Sequence, residues 1–255
     1  MGIVNVTPDS FSDGGLWLSP DAAIEHAHDL VRDGADIVDI GGESTRPRST
    51  RISADEEWKR IGPVVSAVAE SGIVVSVDTM HATTAARAAE AGAALINDIS
   101  GGRMDPHMNK TVADTGCAYV IQHWRALPGT PEENFDYGKN LIDTLKSRIL
   151  TQVEDALNAG VAEESVIIDP GLGFSLTNKQ SWRVVNALEC FHSLGYPVLI
   201  GASRKRFLSD VPGDRDETTV RVTADAARSG VWAVRVHNVA ANVAAILRGE
   251  SEDRL

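Results

Sequence analysis

The chain has 255 residues, of which 43% are hydrophobic and 24% charged, a composition typical of a soluble globular protein. Its 24 Lys and Arg residues against 36 Asp and Glu residues give a formal net charge of −12, which argues against a nucleic-acid-binding surface. No apolar run approaches the roughly 20 residues of a membrane span, and Cys117 and Cys190 cannot form a disulfide framework, so we expect a cytoplasmic protein that does not bind membranes.

Short apolar, β-branched runs alternate along the chain with longer amphipathic stretches. Near-continuous apolarity over a few residues is typical of a strand that is covered on both faces. In chain order the predicted strands are Gly2–Val6, Ala35–Ile40, Gly72–Val77, Ala94–Ile96, Ala118–Ile121, Ser165–Ile168, Pro197–Gly201 and Val231–Val236. The predicted helices between them include Pro20–Asp33, Ala54–Ser71, Thr83–Ala91, Leu141–Ala159, Lys179–Leu194 and Glu217–Ser229.

This alternation predicts an α/β protein, with residues 1–255 forming one domain folded as a (β/α)8 TIM barrel. A doubly wound sheet would usually carry a dinucleotide fingerprint, and no G-x-G-x-x-G follows the first run. Helix-start signals at Ser19-Pro20 and Ser53 agree with the division into elements. The first run is short for a barrel strand, so we expect further residues to precede Met1.

Nearly every predicted strand ends in a hydrogen-bonding or ionic side chain. The working groups of such a barrel lie at the carboxyl ends of its strands. These ends carry Asn5, Asp39 with Glu43, Asp78, Asn97-Asp98, Gln122-His123, Asp169, Ser203-Arg204-Lys205 and Arg235 with His237. Asp78 and Asn97-Asp98 could be helix N-caps and Asp169 could start a simple turn, but their joint placement favours one shared site.

Asp78, Asn97 and Asp169 together suit the edge of a flat heterocycle that carries donors and acceptors. A carboxylate can accept two parallel N–H bonds from an amino-pyrimidinone, and a carboxamide supplies both a donor and an acceptor. Lys205 would add a cationic donor, and Arg235 with His237 would form a positive corner that suits a phosphate. The long loops Thr7–Gly15 and Gly41–Ser49 are typical of lids that close over a reaction.

These residues belong to a series of motifs that resembles dihydropteroate synthase. The series runs in order over essentially the whole chain and comprises Met1–Gly15, Asp39–Pro47, Ser76–Thr79, Ile96–Gly102, Asp169–Phe174, Gly201–Phe207 and Arg235–His237. Actinobacterial members look most similar, through His123-Trp124-Arg125 and Arg206. The resemblance implies a TIM barrel that joins (7,8-dihydropterin-6-yl)methyl diphosphate to 4-aminobenzoate, releasing 7,8-dihydropteroate and diphosphate. This is the step of folate biosynthesis that sulfonamides block.

The resemblance also implies roles for individual residues and a homodimeric assembly. The pterin would contact Asp78, Asn97, Asp169, Phe174, Lys205 and Arg235. The diphosphate would bind to Asn5, Arg235 and His237, with the cofactor Mg²⁺ at Asn5. The aminobenzoate would be framed by Phe11, Thr45, Arg46, Pro47, Lys205 and Arg206. Asp13 would steady the developing pterin cation, so the implied catalytic set is Asp13, Lys205, Arg235 and His237.

The sequence departs from the family pattern at a few positions. Leu176 replaces a common Lys, Ser181 a common Asn, Arg206 a common Ser, and Asn238 a common Asp. These departures leave open a non-catalytic or altered-substrate pterin-binding paralogue. A corrinoid-linked methyltransferase that binds methyltetrahydrofolate is a further alternative, although it would not need the Thr7–Gly15 loop, the Arg46 loop or a diphosphate corner. The residues do not separate a dissociative reaction from direct displacement.

Overall fold

The computed structural model describes residues 1–7, 19–46 and 49–252 of the chain. The strands are β1 (Gly2–Asn5), β2 (Ile37–Gly41), β3 (Val74–Asp78), β4 (Leu95–Asp98), β5 (Ala118–Gln122), β6 (Val166–Asp169), β7 (Leu199–Ile200) and β8 (Ala233–Val234). The helices are α1 (Pro20–Arg32), α2 (Ala54–Glu70), α3 (Ala82–Glu90), α4 (Met108–Thr115), α5 (Leu141–Asn158), α6 (Asn178–Val185), α7 (Glu189–His192), α8 (Arg215–Arg228) and α9 (Val239–Glu252). Each predicted strand is present, which confirms the alternation.

The strands form the predicted parallel barrel. Strands β1 to β6 pair in sequence order, and β7 pairs with β8, all in parallel. Two isolated bridges, Gly2 to Val236 and Ile168 to Val198, join these two sheets at both ends. The backbone N–H of Ile3 donates to the carbonyl oxygen of Val236 at 3.1 Å, so the last strand meets the first. The (β/α)8 prediction is therefore confirmed.

An apolar layer fills the barrel directly beneath the polar strand ends. Its buried members are Met1, Leu95, Val120, Ile167 and Leu199, which pack against one another. Successive side chains of a strand alternate between its two faces, so residues two positions apart point the same way. Leu95 thus precedes Asn97 on the inner face of β4, and Ile167 precedes Asp169 on β6. This layer forms the floor of the site.

The helices largely follow the prediction, with two kinds of difference. The side chains of Ser19 and Ser53 cap α1 and α2 as expected, accepting from backbone N–H groups. The stretch predicted as one helix over Lys179–Leu194 is two helices, α6 and α7, and the prediction omitted α4 and α9. Among the described residues, no helix has the length and apolar character that a membrane crossing requires.

Candidate active site

The carboxyl ends of the strands open into a cavity of about 1490 Å³. Every described residue that was predicted to act at the site lines this cavity, namely Asn5, Thr45, Arg46, Asp78, Asn97, Asp169, Phe174, Lys205, Arg206, Arg235 and His237. The predicted Phe11, Asp13 and Pro47 lie outside the described residues. Asp78, Asn97 and Asp169 therefore face one common space, although more than 90 positions separate the first from the last.

Arg235, which follows β8, binds two carboxylates at the inner wall of the cavity. Its Nη2 donates to Oδ2 of Asp78 at 2.8 Å, and its Nε donates to Oδ2 of Asp39. Burial raises the pKa of Asp78 to about 7; the guanidinium of Arg235 opposes this shift and the carboxylate of Asp39 adds to it. The side chain of Asp78 is 15% exposed, so the carboxylate remains accessible from the cavity.

Asn97 lies beside Asp78 in the sheet and is fixed by the same buried carboxylate. The two residues are register partners on β4 and β3. Nδ2 of Asn97 donates to Oδ2 of Asp39 at 3.1 Å. Asp39 itself is 0% exposed and lies on β2 beneath the cavity. The sequence marked Asp39 only as a strand end, so its contacts with two site residues were missed.

Asp169 and Lys205 form the opposite side of the site. One oxygen of Asp169, Oδ1, accepts from the backbone N–H of Gly171 at 2.7 Å, so the turn interpretation holds for that oxygen. A Cβ atom added to Gly201 would lie 3.8 Å from Oδ2 of Asp169 and 3.7 Å from Nζ of Lys205. The second carboxylate oxygen and the ammonium therefore border the same small space above Gly201.

The ammonium of Lys205 is held in a mixed polar and aromatic environment. Its Nζ donates to the carbonyl oxygen of Leu172 and lies 4.6 Å from the ring centroid of Phe174. Burial lowers the pKa of Lys205 to about 8, and the nearby carboxylate of Asp169 opposes that shift. Burial also raises the pKa of Asp169, opposed by Lys205. A partly desolvated cation next to a carboxylate and an aromatic face suits a planar polar ring.

His237 and the loop after β7 form a second corner of the cavity. Nδ1 of His237 lies 2.9 Å from Oγ of Ser203, and the same Oγ accepts from the backbone N–H of His237 at 3.2 Å. Arg204 makes a two-pronged ion pair with Asp216 at 2.8 and 3.0 Å. Ser203 thus orients the histidine ring, a role that the sequence did not indicate.

Glu43 anchors the described part of the loop that carries Thr45 and Arg46. Its carboxylate accepts from the backbone N–H of Ile52 at 2.9 Å and pairs with Arg51 at 2.9 Å. Nε2 of His81 lies 3.4 Å from the same carboxylate, whose hydrogen bond raises the pKa of His81. Because Glu43 also lines the cavity, it connects the loop to the site.

Two of the strand-end candidates turn away from the cavity. Asp98 accepts from the backbone N–H groups of Ser100 and Gly102, both at 2.7 Å, and so shapes the loop after β4. His123 is fully buried, and its Nε2 lies 3.3 Å from Nε of Arg148. Burial lowers the pKa of His123 to about 3, so the ring is neutral. Asp98 therefore binds backbone groups of the loop after β4 but does not cap a helix, because α4 begins only at Met108.

Comparison with known proteins shows what this site resembles. Residues 1–237 match the family of pterin-binding enzymes. The chain is 44% identical to the dihydropteroate synthase of Mycobacterium leprae, over 96% of this chain and 90% of that protein. The chain belongs to the dihydropteroate synthase family.

Solved structures of this family superpose on the whole chain. The dihydropteroate synthase of Clostridium difficile in the presence of pteroic acid gives a TM-score of 0.90 at 36% identity, covering 100% of this chain and 96% of that one. The Yersinia pestis dihydropteroate synthase with a sulfonamide drug gives a TM-score of 0.93 at 35% identity, covering 100% and 94%. The fold and the family implied by the sequence motifs are thus confirmed.

The positions that depart from the common family pattern have defined surroundings. Leu176 is 2% exposed and presents an apolar side chain to the cavity. Oγ of Ser181 accepts from the backbone N–H of Gly173, and Oδ1 of Asn238 accepts from that of Ala241, both at 3.3 Å. Arg206 lines the cavity. Ser181 therefore supports the loop after β6 and Asn238 the first turn of α9, whereas Leu176 and Arg206 border the cavity.

Proposed function

We propose that this protein condenses (7,8-dihydropterin-6-yl)methyl diphosphate with 4-aminobenzoate, giving 7,8-dihydropteroate and diphosphate in folate biosynthesis. The observation that carries the proposal is that Asp78, Asn97 and Asp169 line one cavity together with Lys205 and Arg235. This places hydrogen-bond acceptors and cations around a space that fits a small ring system. The pteroic acid and sulfonamide of the related structures support the same classes of ligand here.

The pterin ring would lie edge-on to the carboxylates. Its amino-pyrimidinone edge presents N–H donors, and Asp78 and Asp169 each keep an oxygen available on the cavity side. Lys205, beside Asp169 and against Phe174, would donate to a ring oxygen or nitrogen. Acceptors on one side and a cation on the other fix both the position and the direction of the ring.

The aminobenzoate would enter from the side of the loop after β2. Thr45 and Arg46 line that side, and Arg206 lines the cavity next to Lys205. The two arginines provide cations for the aminobenzoate carboxylate, while the apolar Leu176 faces the same cavity. Phe11 and Pro47 complete the pocket in our proposal.

We propose that a magnesium ion binds near Asn5 as part of the diphosphate site. Among the described residues, no group of three or more His, Cys, Asp or Glu side chains could hold a metal ion. Mg²⁺ commonly keeps several waters and takes one or two protein oxygens together with substrate phosphates, and the carboxamide oxygen of Asn5, a residue that lines the cavity, could serve as such a ligand. When bound, the ion supplies positive charge that neutralises the departing diphosphate.

The chemistry requires charge to be balanced at both ends of the breaking C–O bond. Negative charge grows on the diphosphate, where Arg235 and His237 would stabilise it. Positive charge grows on the pterin methylene, and we assign Asp13 to oppose it. Since an aromatic amine is a modest nucleophile, making the carbon electrophilic is the effective strategy, and closed loops would keep water from trapping that carbon.

A direct assay tests the function. Purified protein is supplied with the dihydropterin diphosphate, labelled 4-aminobenzoate and Mg²⁺, and labelled dihydropteroate is the expected product. Tight pterin binding without product would instead favour a non-catalytic paralogue, an alternative that the apolar Leu176 motivates. Omitting Mg²⁺, and replacing Asn5 with Ala, should each lower turnover if the ion sits at the diphosphate.

We further propose that the protein acts as a homodimer in the cytoplasm. The family resemblance supports the dimer, and the cysteine content supports a reducing compartment. Sedimentation at micromolar concentration should give about twice the 27.2 kDa chain mass, and a monomer there would contradict the dimer.

A further inference from the structure

Asp39 has an unusual place in the site because it lies under the cavity instead of lining it. It is 0% exposed on β2, and its Oδ2 accepts both from Nδ2 of Asn97 and from Nε of Arg235. Its other oxygen, Oδ1, is buried without a hydrogen-bond partner among the described residues. Burying a carboxylate with an unpaired oxygen lowers the stability of the fold, so we infer that Asp39 has a role other than stabilisation.

The contact with Asp39 decides which atom Asn97 offers to a ligand. A carboxamide has a donor end and an acceptor end, and only the NH₂ end can face a carboxylate favourably. With Nδ2 turned down to Asp39, Oδ1 is the atom of Asn97 that faces the cavity. In this orientation Asn97 would accept from a ligand N–H through its oxygen.

The same carboxylate also sets the direction of Arg235. Its Nε is bound to Asp39 and one hydrogen of its Nη2 to Asp78, so the edge of the guanidinium carrying these atoms faces the carboxylates. Nη1 and the second hydrogen of Nη2 then remain for a ligand. The guanidinium plane has little freedom to rotate, since two separate carboxylates hold it.

We propose that Asp39 is a positioning residue for the pterin: it fixes Asn97 with its oxygen toward the ring and holds Arg235 in one orientation. The proposal deepens the function proposed above and rests on it for the identity of the ligand. Asp39 does not touch the substrate, and it acts through the two residues that do. Asp39, which lies beneath the cavity, therefore determines which hydrogen-bonding atoms of Asn97 and Arg235 face the pterin.

The first test replaces the charge of Asp39 while keeping its shape. Asp39→Asn should weaken binding of the dihydropterin diphosphate at least about tenfold by calorimetry, because hydrogen bonds to a charged group are lost. The KM for 4-aminobenzoate at saturating pterin should stay within about twofold. Glu57→Gln is the matched control: Glu57 is also 0% exposed, accepts from Thr79 Oγ1 and does not line the cavity. Because the charge of Glu57 contributes to raising the pKa of Asp78, its loss favours the Asp78 carboxylate, so Glu57→Gln should not weaken pterin binding.

A reciprocal exchange separates positioning from simple structural support. Asn97→Asp alone would place two carboxylates where the 3.1 Å hydrogen bond now lies, and pterin binding should fall sharply. When Asp39→Asn is added, the amide of position 39 can donate to the carboxylate of position 97, whose other oxygen faces the cavity. The double variant should therefore bind pterin at least about fivefold better than Asn97→Asp alone. A double variant no better than Asn97→Asp, or unchanged affinity in Asp39→Asn, would overturn the proposal.

A measurement on the unaltered protein covers the case in which these variants do not fold. The side-chain amide hydrogens of Asn97, assigned by their absence in Asn97→Leu, should show one strongly protected hydrogen in NMR exchange experiments. Protection is expected since Nδ2 donates to a fully buried carboxylate. Rapid exchange of both hydrogens would contradict the orientation. This readout needs no turnover, so it distinguishes failure of the positioning role from failure of the synthase activity.

Discussion

Arg235 donates from Nη2 to Oδ2 of Asp78 at 2.8 Å, so an ion pair joins the ends of β8 and β3, which are not neighbours in the barrel. A ring that binds to Asp78 must therefore share this carboxylate with a guanidinium. The same guanidinium is a candidate for the departing diphosphate. In the proposed function, binding of the ring and activation of the leaving group would thus be coupled through this pair of side chains.

Replacing Asp78 with Asn should weaken pterin binding by about 1.5–3 kcal/mol, the range for a hydrogen bond to a charged group. The amide keeps one acceptor but loses the second N–H interaction and the charge. Titration calorimetry with the dihydropterin diphosphate measures the change. Unchanged affinity would contradict the edge-on placement of the ring.

Pterin binding should depend on pH with a maximum between about pH 7 and about pH 8. Burial raises the pKa of Asp78 to about 7 and lowers that of Lys205 to about 8. In the proposed function, the pterin binds to the carboxylate of Asp78 and the ammonium of Lys205, so affinity should fall as Asp78 gains a proton at lower pH and as Lys205 loses one at higher pH. Calorimetry from pH 6 to pH 9 gives the profile.

The two limbs of this profile can be assigned separately. Asp78→Asn should remove the acidic limb that Asp78 contributes and keep the alkaline one, because Lys205 still titrates. Lys205→Met should do the reverse at a lower overall affinity. Retention of both limbs in either variant would show that other groups control the pH dependence.

Asp13→Ala should lower kcat while leaving pterin affinity nearly intact. The positive charge that this carboxylate is proposed to oppose exists mainly in the transition state, so ground-state binding does not depend on it. Single-turnover rates together with calorimetry separate the two effects. A loss of affinity with normal turnover would show that the assigned role is wrong.

Glu43→Gln should raise the KM for 4-aminobenzoate about fivefold, in line with about 1 kcal/mol for a weakened anchoring hydrogen-bond set. Glu43 holds the loop with Thr45 through Ile52 and Arg51, so the pterin affinity should not change. Asp55→Asn, which removes the exposed ion pair with Arg87, serves as the matched control. An equal effect of both variants would exclude a specific role for Glu43.

The fold could be predicted because the barrel strands are covered on both faces and therefore read as continuous apolar runs. The short strands β7 and β8 were also visible, since Pro197–Gly201 and Val231–Val236 are apolar. Helices α4 and α9 were not predicted: α4 has only eight residues, and the small residues of α9 give a weak pattern. Lengths and periodicities carry little information in such segments.

The residues around the cavity could be named from their strand-end positions, but their contacts could not. Asp39 and Asn97 are 58 positions apart, and Asp39 and Arg235 are 196 apart, so only closure of the barrel joins them. Asp98 and His123 occupy strand ends as well, yet they face away from the cavity. Adjacent residues of a strand point to opposite faces, so a shift of one residue decides whether a side chain faces the cavity or points away from it.

The apolar layer of Met1, Leu95, Val120, Ile167 and Leu199 affects how strongly solvent screens the charged groups of the site. It insulates the ring of carboxylates and cations from solvent at the far end of the barrel, where water would otherwise screen them. Field lines from these groups are consequently directed through the open mouth, toward the approaching ionic substrate.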